Sequence, residues 1–419
     1  MATELDIVIV GAGGAGIAAG RRLAEAGPAV SFQIVEAADR VGGRAWTVTR
    51  DGMPLDLGCG WLHSADRNPW AKLAEEEGIA IDRSRPAWGR QFANLGFSPE
   101  EQAEAAEAYD EFDRRLREEP PPSDRALDAL DPGERWNEYL EARSGYLNGV
   151  GLAQLSVADY LAYDEAATDE NWRLRDGYGT LIAGAAEGLP IALDAPVSRI
   201  DRTSTILQID TARGRLTARA AIVTVPPVVL AEERLRFDPP LDGKAEAASC
   251  LPLGLADKLF LTLDHAEELD SDAHMLGNPR RAETGSYYLR PFGRPLIECF
   301  FGGAGAAVLE GAGEGAMADF AVGELISAFG SGFRKRLHPL AGSAWGASPW
   351  VRGSYSHAMP GHAGARRALA EPVEGRIFFA GEACSAHDFS TAHGAWETGV
   401  DAAEQALAAL RPTESAVRR

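Results

Sequence analysis

The stretch Leu5–Gly16, LDIVIVGAGGAG, decides the fold of this chain. Its first half is a short β-branched run of the kind that forms a buried parallel strand. The glycine-rich half leads into a helix predicted over Ala15–Ala26, which Gly27 and Pro28 end. A second strand is predicted at Ser31–Val35. This spacing predicts a βαβ unit in a parallel sheet, and therefore an α/β fold.

The glycines of this stretch match G-x-G-x-x-G between a strand and a helix. The first glycine of such a motif makes the tight turn, the second lets the backbone approach a pyrophosphate, and the third lets helix and strand pack closely. The helix N-terminus adds positive potential for an anion. Glu36 ends the second strand, where an acid binds ribose hydroxyls. The pattern predicts a Rossmann-like dinucleotide site with Gly11, Gly13, Gly14, Gly16 and Glu36.

A second motif follows directly, E-x-x-x-R-x-G-G-R at residues 36–44. The adjacent glycines Gly42 and Gly43 admit close backbone approach, and Arg40 and Arg44 offer planar guanidinium groups to a phosphate. This motif, placed after a βαβ unit, resembles the flavin-dependent amine oxidase superfamily. The resemblance implies that the dinucleotide is FAD.

Further blocks that resemble this superfamily follow in the same order along the chain. They are Asp56–His63 (DLGCGWLH), Asp194–Ile200 (DAPVSRI), Ala221–Pro227 (AIVTVPP), Phe379–Glu382 (FAGE) and Thr391–Ala395 (TAHGA). The resemblance implies FAD contacts at Gly60, Trp61, Val197, Gly381, Glu382, Thr391 and Ala392. Ser354 stands where some members carry a cysteine that is bonded to the flavin, so the FAD is expected to bind noncovalently.

Five residues are candidates for the catalytic site, mostly through the same resemblance. Lys258 opens an otherwise apolar strand, LFLTL, so its ammonium group is expected to face a cavity. Its position is similar to that of the family lysine that holds a water against flavin N5. Trp345 and Tyr355 match aromatic positions near the flavin, with Tyr355 as one wall of an aromatic cage. Thr391 stands at the opposite wall, which predicts a more open or more polar site, and His63 is a candidate polar group on the substrate side.

The resemblance implies oxidation of a primary or secondary amine, such as a polyamine or another small cationic amine. A hydride passes to flavin N5, the imine is hydrolysed to an aldehyde or ketone, and oxygen reoxidises the flavin and yields hydrogen peroxide. Three alternatives stay open at this point. They are an FAD-dependent desaturase or protoporphyrinogen oxidase-like enzyme, an amine dehydrogenase with another electron acceptor, and a non-catalytic binding protein of the same fold.

The composition narrows the class of partner. Lys and Arg number 41 against 62 Asp and Glu, a net charge of −21, which disfavours nucleic acid and anionic lipid and attracts cationic small molecules. The four cysteines form no C-x-x-C pair and the histidines no ligand pattern, so no metal site is expected. Two further glycine-rich stretches, Gly303–Gly305 and Gly311–Gly313, lack the order strand, glycine, helix, strand and predict no second nucleotide site.

The same features predict where the protein works. The first residues have no basic region typical of a signal peptide, and no run approaches the ~20 apolar residues of a membrane-spanning helix. Dispersed cysteines are typical of reduced thiols in the cytoplasm. We therefore expect a cytoplasmic protein without a membrane span; a homodimer is one open alternative for its oligomeric state.

The order of the elements predicts two domains, each assembled from separate segments. The FAD-binding domain takes residues 1–79, 170–242 and 346–419. The substrate domain takes residues 80–169, a helical half, and residues 243–345, a sheet half, which makes it α+β. A helix is predicted from Pro99, and strands are predicted at Ile191–Ile200, Thr205–Thr211, Ala220–Val225, Lys258–Leu263, 287–301 and Arg376–Phe379. The active site is expected between the two domains.

Overall fold

The structure, a computed structural model, describes residues 4–313 and 315–411, which contain 17 β-strands and 12 α-helices. The strands are β1 (Leu5–Val10), β2 (Phe32–Val35), β3 (Thr47–Arg50), β4 (Met53–Asp56), β5 (Ile81–Asp82), β6 (Arg173–Leu174), β7 (Ile191–Ala192), β8 (Val197–Asp201), β9 (Leu207–Thr211), β10 (Gly214–Val223), β11 (Arg236–Asp238), β12 (Ala256–Leu263), β13 (Ala273–Leu276), β14 (Ser286–Leu289), β15 (Leu296–Gly302), β16 (Leu337–Gly342) and β17 (Ile377–Phe379). The helices are α1 (Gly14–Glu25), α2 (Pro69–Glu76), α3 (Pro99–Glu118), α4 (Asn137–Asn148), α5 (Val157–Ala166), α6 (Tyr178–Gly184), α7 (Pro227–Ala231), α8 (Asp242–Ser249), α9 (Gly303–Gly311), α10 (Ala316–Phe329), α11 (Ala365–Ala370) and α12 (Ala392–Leu410). None of the described helices is long and apolar enough to cross a lipid bilayer.

The predicted βαβ unit lies in the middle of an eight-stranded sheet. Strand β1 pairs in parallel with β2 on one side and with β10 on the other. The first part of β10 pairs with β9 in antiparallel fashion, and its second part pairs with β17 in parallel. Val8 and Val10 belong to the core on one face of the sheet, and Ile7 and Ile9 to the core on the other. Both faces of β1 are buried in a core, so nearly every residue of the strand is apolar.

One predicted strand of this sheet is wrong. The stretch Ile191–Ile200 forms two strands, β7 and β8, with a turn between them. Asp194 takes a left-handed φ of +49° in that turn, and Pro196 has no N–H to donate to a neighbouring strand. The turn carries the chain from one side of the sheet to the other.

A second, five-stranded sheet runs in the order β13-β14-β15-β12-β16 and is antiparallel throughout. Residues opposite each other on paired strands share a face. One face is apolar and packs under α9 and α10, with Leu261, Ile297 and Tyr287 at its centre. The opposite face, which we call the polar face, carries Lys258, Phe260, His274, Ser286, Tyr288, Glu298 and Phe300.

The predicted helix at Pro99 is present as α3. Ser98 accepts a hydrogen bond from the backbone N–H of Glu101, whose carboxylate accepts one from the N–H of Ser98. This capping box satisfies two of the N–H groups at the helix start. Phe112 and Leu116 are buried and pack with residues of α4 and α5, so the helical segment has an apolar core of its own.

Gly302 and Gly303, at the start of the glycine-rich stretch 303–305, pack closely against α4. Strand β15 runs directly into α9 at Gly303, but α9 is followed by α10, so the order strand, glycine, helix, strand is absent here as expected. A Cβ at Gly302 would lie 2.1 Å from the carbonyl oxygen of Gly145 in α4. Glycine is therefore required where α4 crosses the end of the sheet.

Candidate active site

The loop between β1 and α1 has the shape that a pyrophosphate requires. Gly11 takes a φ of +107°, and a Cβ there would lie 2.5 Å from Thr224 Oγ1. A Cβ at Gly16 would lie 1.9 Å from the carbonyl oxygen of Gly11, so glycine is needed for α1 to start this close to β1. Around Gly13 and Gly14 the nearest atoms lie 3.9 and 3.6 Å from such a Cβ, and no side chain caps the helix start. The first N–H groups of α1 are therefore free to bind an anion.

The second glycine pair faces this loop. Gly42 pairs with Gly13 in a parallel bridge. Gly43 takes a φ of +58°, and a Cβ on it would lie 3.2 Å from the Cα of Gly13. Arg40 donates a hydrogen bond to the Gly43 carbonyl oxygen at 2.8 Å, and its guanidinium lies 4.6 Å from the ring centre of Trp46. Arg40 therefore supports the loop, while the glycine backbones keep the space beside the first loop open.

Arg44 lies across the site from the blocks Phe379–Glu382 and Thr391–Ala395, which we call the closing motif. Its Nη1 lies 2.7 Å from Glu382 Oε1. The other oxygen, Oε2, accepts hydrogen bonds from Ser356 Oγ at 2.6 Å and from the N–H of Ser390 at 2.9 Å. Burial by itself would raise the pKa of Glu382, but the guanidinium groups of Arg44 and Arg366 outweigh it and lower that pKa. The carboxylate is thus held ionised and fixed in position.

A second helix N-terminus lies at the same place. Thr391 caps α12 through its side-chain oxygen, and the N–H of Gly381 donates to Thr398 Oγ1 in that helix at 3.0 Å. A Cβ at Gly14 would lie 3.8 Å from the carbonyl oxygen of Ala392. The starts of α1 and α12, the loop at 42–44 and the closing motif therefore converge, as the sequence motifs predict.

Glu36 lies at the end of β2 and is held by backbone groups. Its two carboxylate oxygens accept hydrogen bonds from the N–H of Ala12 at 2.6 Å and of Ala38 at 2.8 Å, and each keeps a further lone pair for a hydroxyl donor. The carbonyl oxygen of Glu36 accepts a hydrogen bond from the N–H of Ala195 at 2.8 Å. This bond holds the segment before Val197 next to Glu36. The glycine cradle, the uncapped helix start and this acid together fit a dinucleotide.

Lys258 lies on the polar face of the second sheet and is 7% exposed. Its Nζ is 2.8 Å from Glu298 Oε1, and a Cβ at Gly60 would lie 3.0 Å from Nζ. Burial disfavours the charged form of Lys258, but the carboxylates of Glu298 and Asp56 outweigh it and raise its pKa. Burial also raises the pKa of Asp56, against the lysine charge and three hydrogen-bond donors. The ammonium group is therefore held in an ion pair with a partly exposed carboxylate, and its position beside a cavity stays a prediction.

Trp345 and Tyr355 are both fixed by hydrogen bonds to the backbone. The indole Nε1 of Trp345 donates to the Leu57 carbonyl oxygen at 3.0 Å. The backbone N–H of Trp345 donates to Asp257 Oδ1 at 3.0 Å. The hydroxyl of Tyr355 donates to the Tyr146 carbonyl oxygen at 2.6 Å. The indole ring therefore joins the loop after β4 to the second sheet, and the phenol ring is tied to α4.

His63 has a defined tautomer. Its Nδ1 lies 2.6 Å from Asn171 Oδ1, and Asn171 Nδ2 donates to the Asp169 carbonyl oxygen at 3.0 Å. The amide oxygen therefore faces His63, and Nδ1 carries the proton. Burial lowers the pKa of His63 to about 4, so at neutral pH its Nε2 is a hydrogen-bond acceptor.

Trp61 lies in an aromatic cluster at the edge of the polar face. Its ring centre is 4.5 Å from that of Trp88 and 5.9 Å from that of Tyr288. The guanidinium of Arg173 lies 4.9 Å from the Trp61 ring centre. Trp88 is 40% exposed, so this cluster connects the surface with the neighbourhood of Glu298.

Sequence reasoning missed two of the polar partners in the site. Glu298 carries a usable signal, because it is the charged residue of an otherwise apolar strand, LIECFFG. Asn171 carries none, because it lies 108 residues from His63 along the chain. In the part of the chain that the structure describes, no three His, Cys, Asp or Glu side chains are grouped as metal ligands, and the four cysteines are free thiols.

Comparison with known proteins agrees with this geometry. A family profile described as flavin containing amine oxidoreductase matches residues 15–100 and 87–407. Polyamine oxidase 3 of Oryza sativa subsp. japonica is 29% identical over 445 residues, which cover 95% of this chain and 88% of that protein. Probable polyamine oxidase 4 of Arabidopsis thaliana is 28% identical over 439 residues, with 95% and 86% covered.

Solved structures show the same fold. A double mutant of putrescine oxidase superposes with a TM-score of 0.78 at 22% identity, over 97% of this chain and 99% of that one. Cyclohexylamine oxidase from Brevibacterium oxydans superposes with a TM-score of 0.78 at 20% identity, over 98% and 100%. This likeness confirms the predicted α/β fold class with its Rossmann-like unit and a second sheet.

Proposed function

Because this chain belongs to the family of flavin-containing amine oxidoreductases, we propose that it oxidises a small amine that arrives as a cation, with oxygen as the electron acceptor and hydrogen peroxide as a product. FAD is its cofactor, and its reaction is FAD-dependent oxidation at CH–NH or CH–NH2 groups. When bound, FAD would supply the acceptor for a hydride equivalent from the carbon beside the amine nitrogen. The substrate also loses a proton from nitrogen and becomes an imine, which water hydrolyses.

The charge balance around Lys258 is the observation that carries the proposed substrate class. Two partly buried carboxylates, Glu298 and Asp56, lie near one ammonium group, so the site has an acidic surplus when both are ionised. His63 lies near enough to Lys258 for the lysine charge to lower its pKa, and its Nε2 would be unprotonated at neutral pH. A cationic amine would be attracted to this surplus before it gives up its proton, and the His63 nitrogen would accept a hydrogen bond from it. The net charge of −21 acts in the same direction.

We propose that the FAD is held noncovalently by the converging loops. The N–H groups at Gly11–Gly16 and at the start of α12 would bind the pyrophosphate, with Arg44 beside it, and Glu36 would bind the ribose. Val197 would meet the adenine, while Gly60, Trp61, Gly381 and Ala392 would line the remaining surface. Lys258 would stabilise negative charge that develops as oxygen is reduced. Trp345, Tyr355 and Thr391 would exclude water around the reacting carbon.

The proposed domains follow the two sheets. The strands of the first sheet come from residues 5–35, 191–238 and 377–379, and those of the second from residues 256–342. This distribution supports an FAD-binding domain of 1–79, 170–242 and 346–419 and a substrate domain of 80–169 and 243–345. Residues 1–3, 314 and 412–419 of these segments lie outside the described residues. The free thiols support the cytoplasm as the place of action, and a homodimer stays a prediction.

A substrate screen tests the proposal. Purified holoenzyme is mixed with diamines, polyamines, monoamines and amino acids, and peroxide release is measured in air alongside flavin bleaching without oxygen. We expect bleaching and peroxide with a cationic amine that carries no carboxylate. Bleaching without peroxide would identify a dehydrogenase, and no bleaching with any amine would refute the proposed function.

Two variants separate the roles of the ion pair. Lys258→Met is expected to slow flavin reoxidation by oxygen more than flavin reduction. Glu298→Gln is expected to raise KM for the amine. The matched control is Glu268→Gln, which removes a carboxylate from an exposed ion pair with Arg336. It should leave the rate of flavin reoxidation and the KM for the amine unchanged. Reoxidation that is unchanged in Lys258→Met would remove the role assigned to that lysine.

A further inference from the structure

Two acidic side chains lie behind the site and take no part in the chemistry described so far. Asp257 precedes Lys258 in β12 and is fully buried. Neighbouring residues of a strand point to opposite faces, so Asp257 points away from the Lys258–Glu298 pair and toward α9. Glu310, in the last turn of α9, is half-buried and approaches it from that helix.

Asp257 holds the segment that carries Trp345. Its Oδ1 accepts hydrogen bonds from Ser343 Oγ at 2.8 Å and from the N–H of Trp345 at 3.0 Å. Ser343 Oγ in turn accepts the N–H of Lys258 at 2.9 Å, and the N–H of Ser343 donates to the Lys258 carbonyl oxygen at 2.9 Å. The backbone of Lys258 and that of Trp345 are therefore joined through one carboxyl group and one hydroxyl.

Glu310 holds the next residue of the same segment. Its Oε2 accepts the N–H of Gly346 at 3.0 Å. A Cβ at Gly346 would lie 2.8 Å from Glu310 Oε1, so a side chain at this position would displace the carboxylate. The two acids thus bind consecutive N–H groups, at 345 and 346, from two different elements.

Within the described residues, no hydrogen-bond donor lies between the carboxyl groups of Asp257 and Glu310. Asp257 Oδ2 is buried and finds no hydrogen-bond partner among the described residues, although the Glu310 carboxyl group lies beside it. Two ionised carboxylates side by side would repel each other, and a buried acceptor without a hydrogen-bond donor costs free energy of folding. A proton on either acid would supply the missing O–H···O hydrogen bond.

The surroundings favour such a proton. Burial and the neighbouring Glu310 together raise the pKa of Asp257 to about 7, against the opposing effect of the hydrogen bonds from Trp345 and Ser343. Tyr355 also faces Asp257 and is neutral, since burial raises the pKa of its phenol. Lys258 points to the other face of the sheet, where Glu298 neutralises it.

We propose that Asp257 and Glu310 share one proton and act as positioning residues, which set Trp345 and the backbone of Lys258 for the oxidation of the amine. The positioning role rests on the proposed function, whereas the shared proton does not. When the proton leaves, repulsion between the carboxylates loosens the segment at 345–346. Flavin reduction should therefore slow as the pH rises through about 7, with no change in the substrate-binding groups themselves.

The pH dependence of stability has a defined sign. The pKa of Asp257 in the folded protein lies above its ordinary value of 3.8, so the stability contributed by the bound proton is lost as the pH rises from about 4 to about 7. Asp257→Asn and Glu310→Gln each replace the shared proton with an amide N–H. Each keeps the oxygen that accepts from Trp345 or Gly346.

The test compares wild type, both single variants and the double variant as holoenzymes. Thermal unfolding and the rate of anaerobic flavin reduction are measured from pH 5 to 9. We expect each single variant to reduce flavin within about twofold of wild type at pH 6 and to lose the wild-type decline above pH 7. The double variant brings two amide NH2 groups face to face, so its Tm should fall below both single variants and its reduction rate should drop at least tenfold.

Three outcomes would overturn the proposal. One is a wild-type stability and reduction rate that stay flat across the pH range, which needs no variant. Another is a Tm that rises in each single variant and rises in the double variant by the sum of the two increases. That result would indicate two ionised acids that repel each other in the wild type. The third is a decline above pH 7 that persists unchanged in both single variants. If no amine is oxidised, the proposed function fails, and the unfolding measurements still decide whether the proton is shared.

Discussion

The buried ion pair between Asp159 and Arg366 should determine how firmly the closing cofactor motif is held. Both side chains are 2% exposed, and the guanidinium binds both carboxylate oxygens, at 2.6 and 2.8 Å. Arg366 Nη1 also donates to Ser356 Oγ at 2.9 Å, and that hydroxyl donates to Glu382 Oε2 at 2.6 Å. The other oxygen of Glu382 pairs with Arg44. A continuous polar chain thus runs from α5 to the proposed flavin site.

The variant Asp159→Asn tests this chain. Removal of one charge from a buried pair leaves the other uncompensated and costs about 3–5 kcal/mol. The retained amide oxygen still accepts one hydrogen bond, which places the expected cost at the lower end, about 3 kcal/mol. An unfolding entropy of about 2.1 cal/mol/K per residue is roughly 0.9 kcal/mol/K for 419 residues. The melting temperature should therefore fall by about 3–4 °C.

Thermal unfolding is followed through tryptophan fluorescence and through the fluorescence of released flavin. The matched control is Asp113→Asn, which removes the carboxylate of a partly exposed pair with Arg117 at 2.8 Å. Such a pair contributes at most about 1 kcal/mol, so the control should lose about 1 °C or less. In Asp159→Asn, flavin release should also begin at a lower temperature. A melting temperature equal to that of the control, or flavin release unchanged from wild type, would refute the reasoning.

Three further outcomes follow from single contacts. In Gly16→Ala the new methyl carbon would lie 1.9 Å from the Gly11 carbonyl oxygen; a strain of about 1–3 kcal/mol should weaken FAD binding about 5- to 150-fold, which titration of the flavin-free protein measures, and full retention of FAD would contradict it. Asn171→Asp places a carboxylate against His63 Nδ1 and raises the pKa of the imidazole. The protonated ring then repels a cationic amine, so kcat/KM measured from pH 5 to 9 should fall roughly tenfold at the acidic end, about 1.4 kcal/mol, relative to wild type. Burial raises the pKa of Cys384 to about 12, so its alkylation by iodoacetamide at pH 8 should be roughly a thousandfold slower than that of a free cysteine; peptide mass spectrometry of the folded holoenzyme measures the rate, and rapid labelling would show that the thiol is accessible.

The sequence predicted the cofactor half of the site because its signals are local. The strand LDIVIV, the glycines at 11, 13 and 16 and the acid at 36 each follow from steric or hydrogen-bonding demands within one βαβ unit. The same local reasoning failed at Ile191–Ile200. A β-branched segment of that composition fits one strand, and the turn at Asp194 is imposed by the need to reach two different places in the sheet.

The substrate side of the site could not be predicted from the sequence, because it depends on which residues pair across the second sheet. Lys258 meets Glu298 because β12 and β15 pair in antiparallel fashion, with Lys258 opposite Phe300 and Phe260 opposite Glu298. A shift of the pairing by one residue would send one of the two charges into the apolar core. No spacing along the chain specifies that pairing, so the acidic surplus became visible only in the folded molecule.

By itself, the sequence determined the βαβ unit and, through its resemblance, the family, and it predicted the place of the dinucleotide site. Those signals lie within short segments whose geometry the backbone dictates. The tertiary structure decided which acid neutralises Lys258, which amide sets the tautomer of His63, and which two carboxyl groups meet behind Trp345. These partners lie 40, 108 and 53 residues apart in the chain. They meet because sheets and helices pack to bury apolar surface. That packing brings polar groups close enough for each to change the charge state and the pKa of its neighbour.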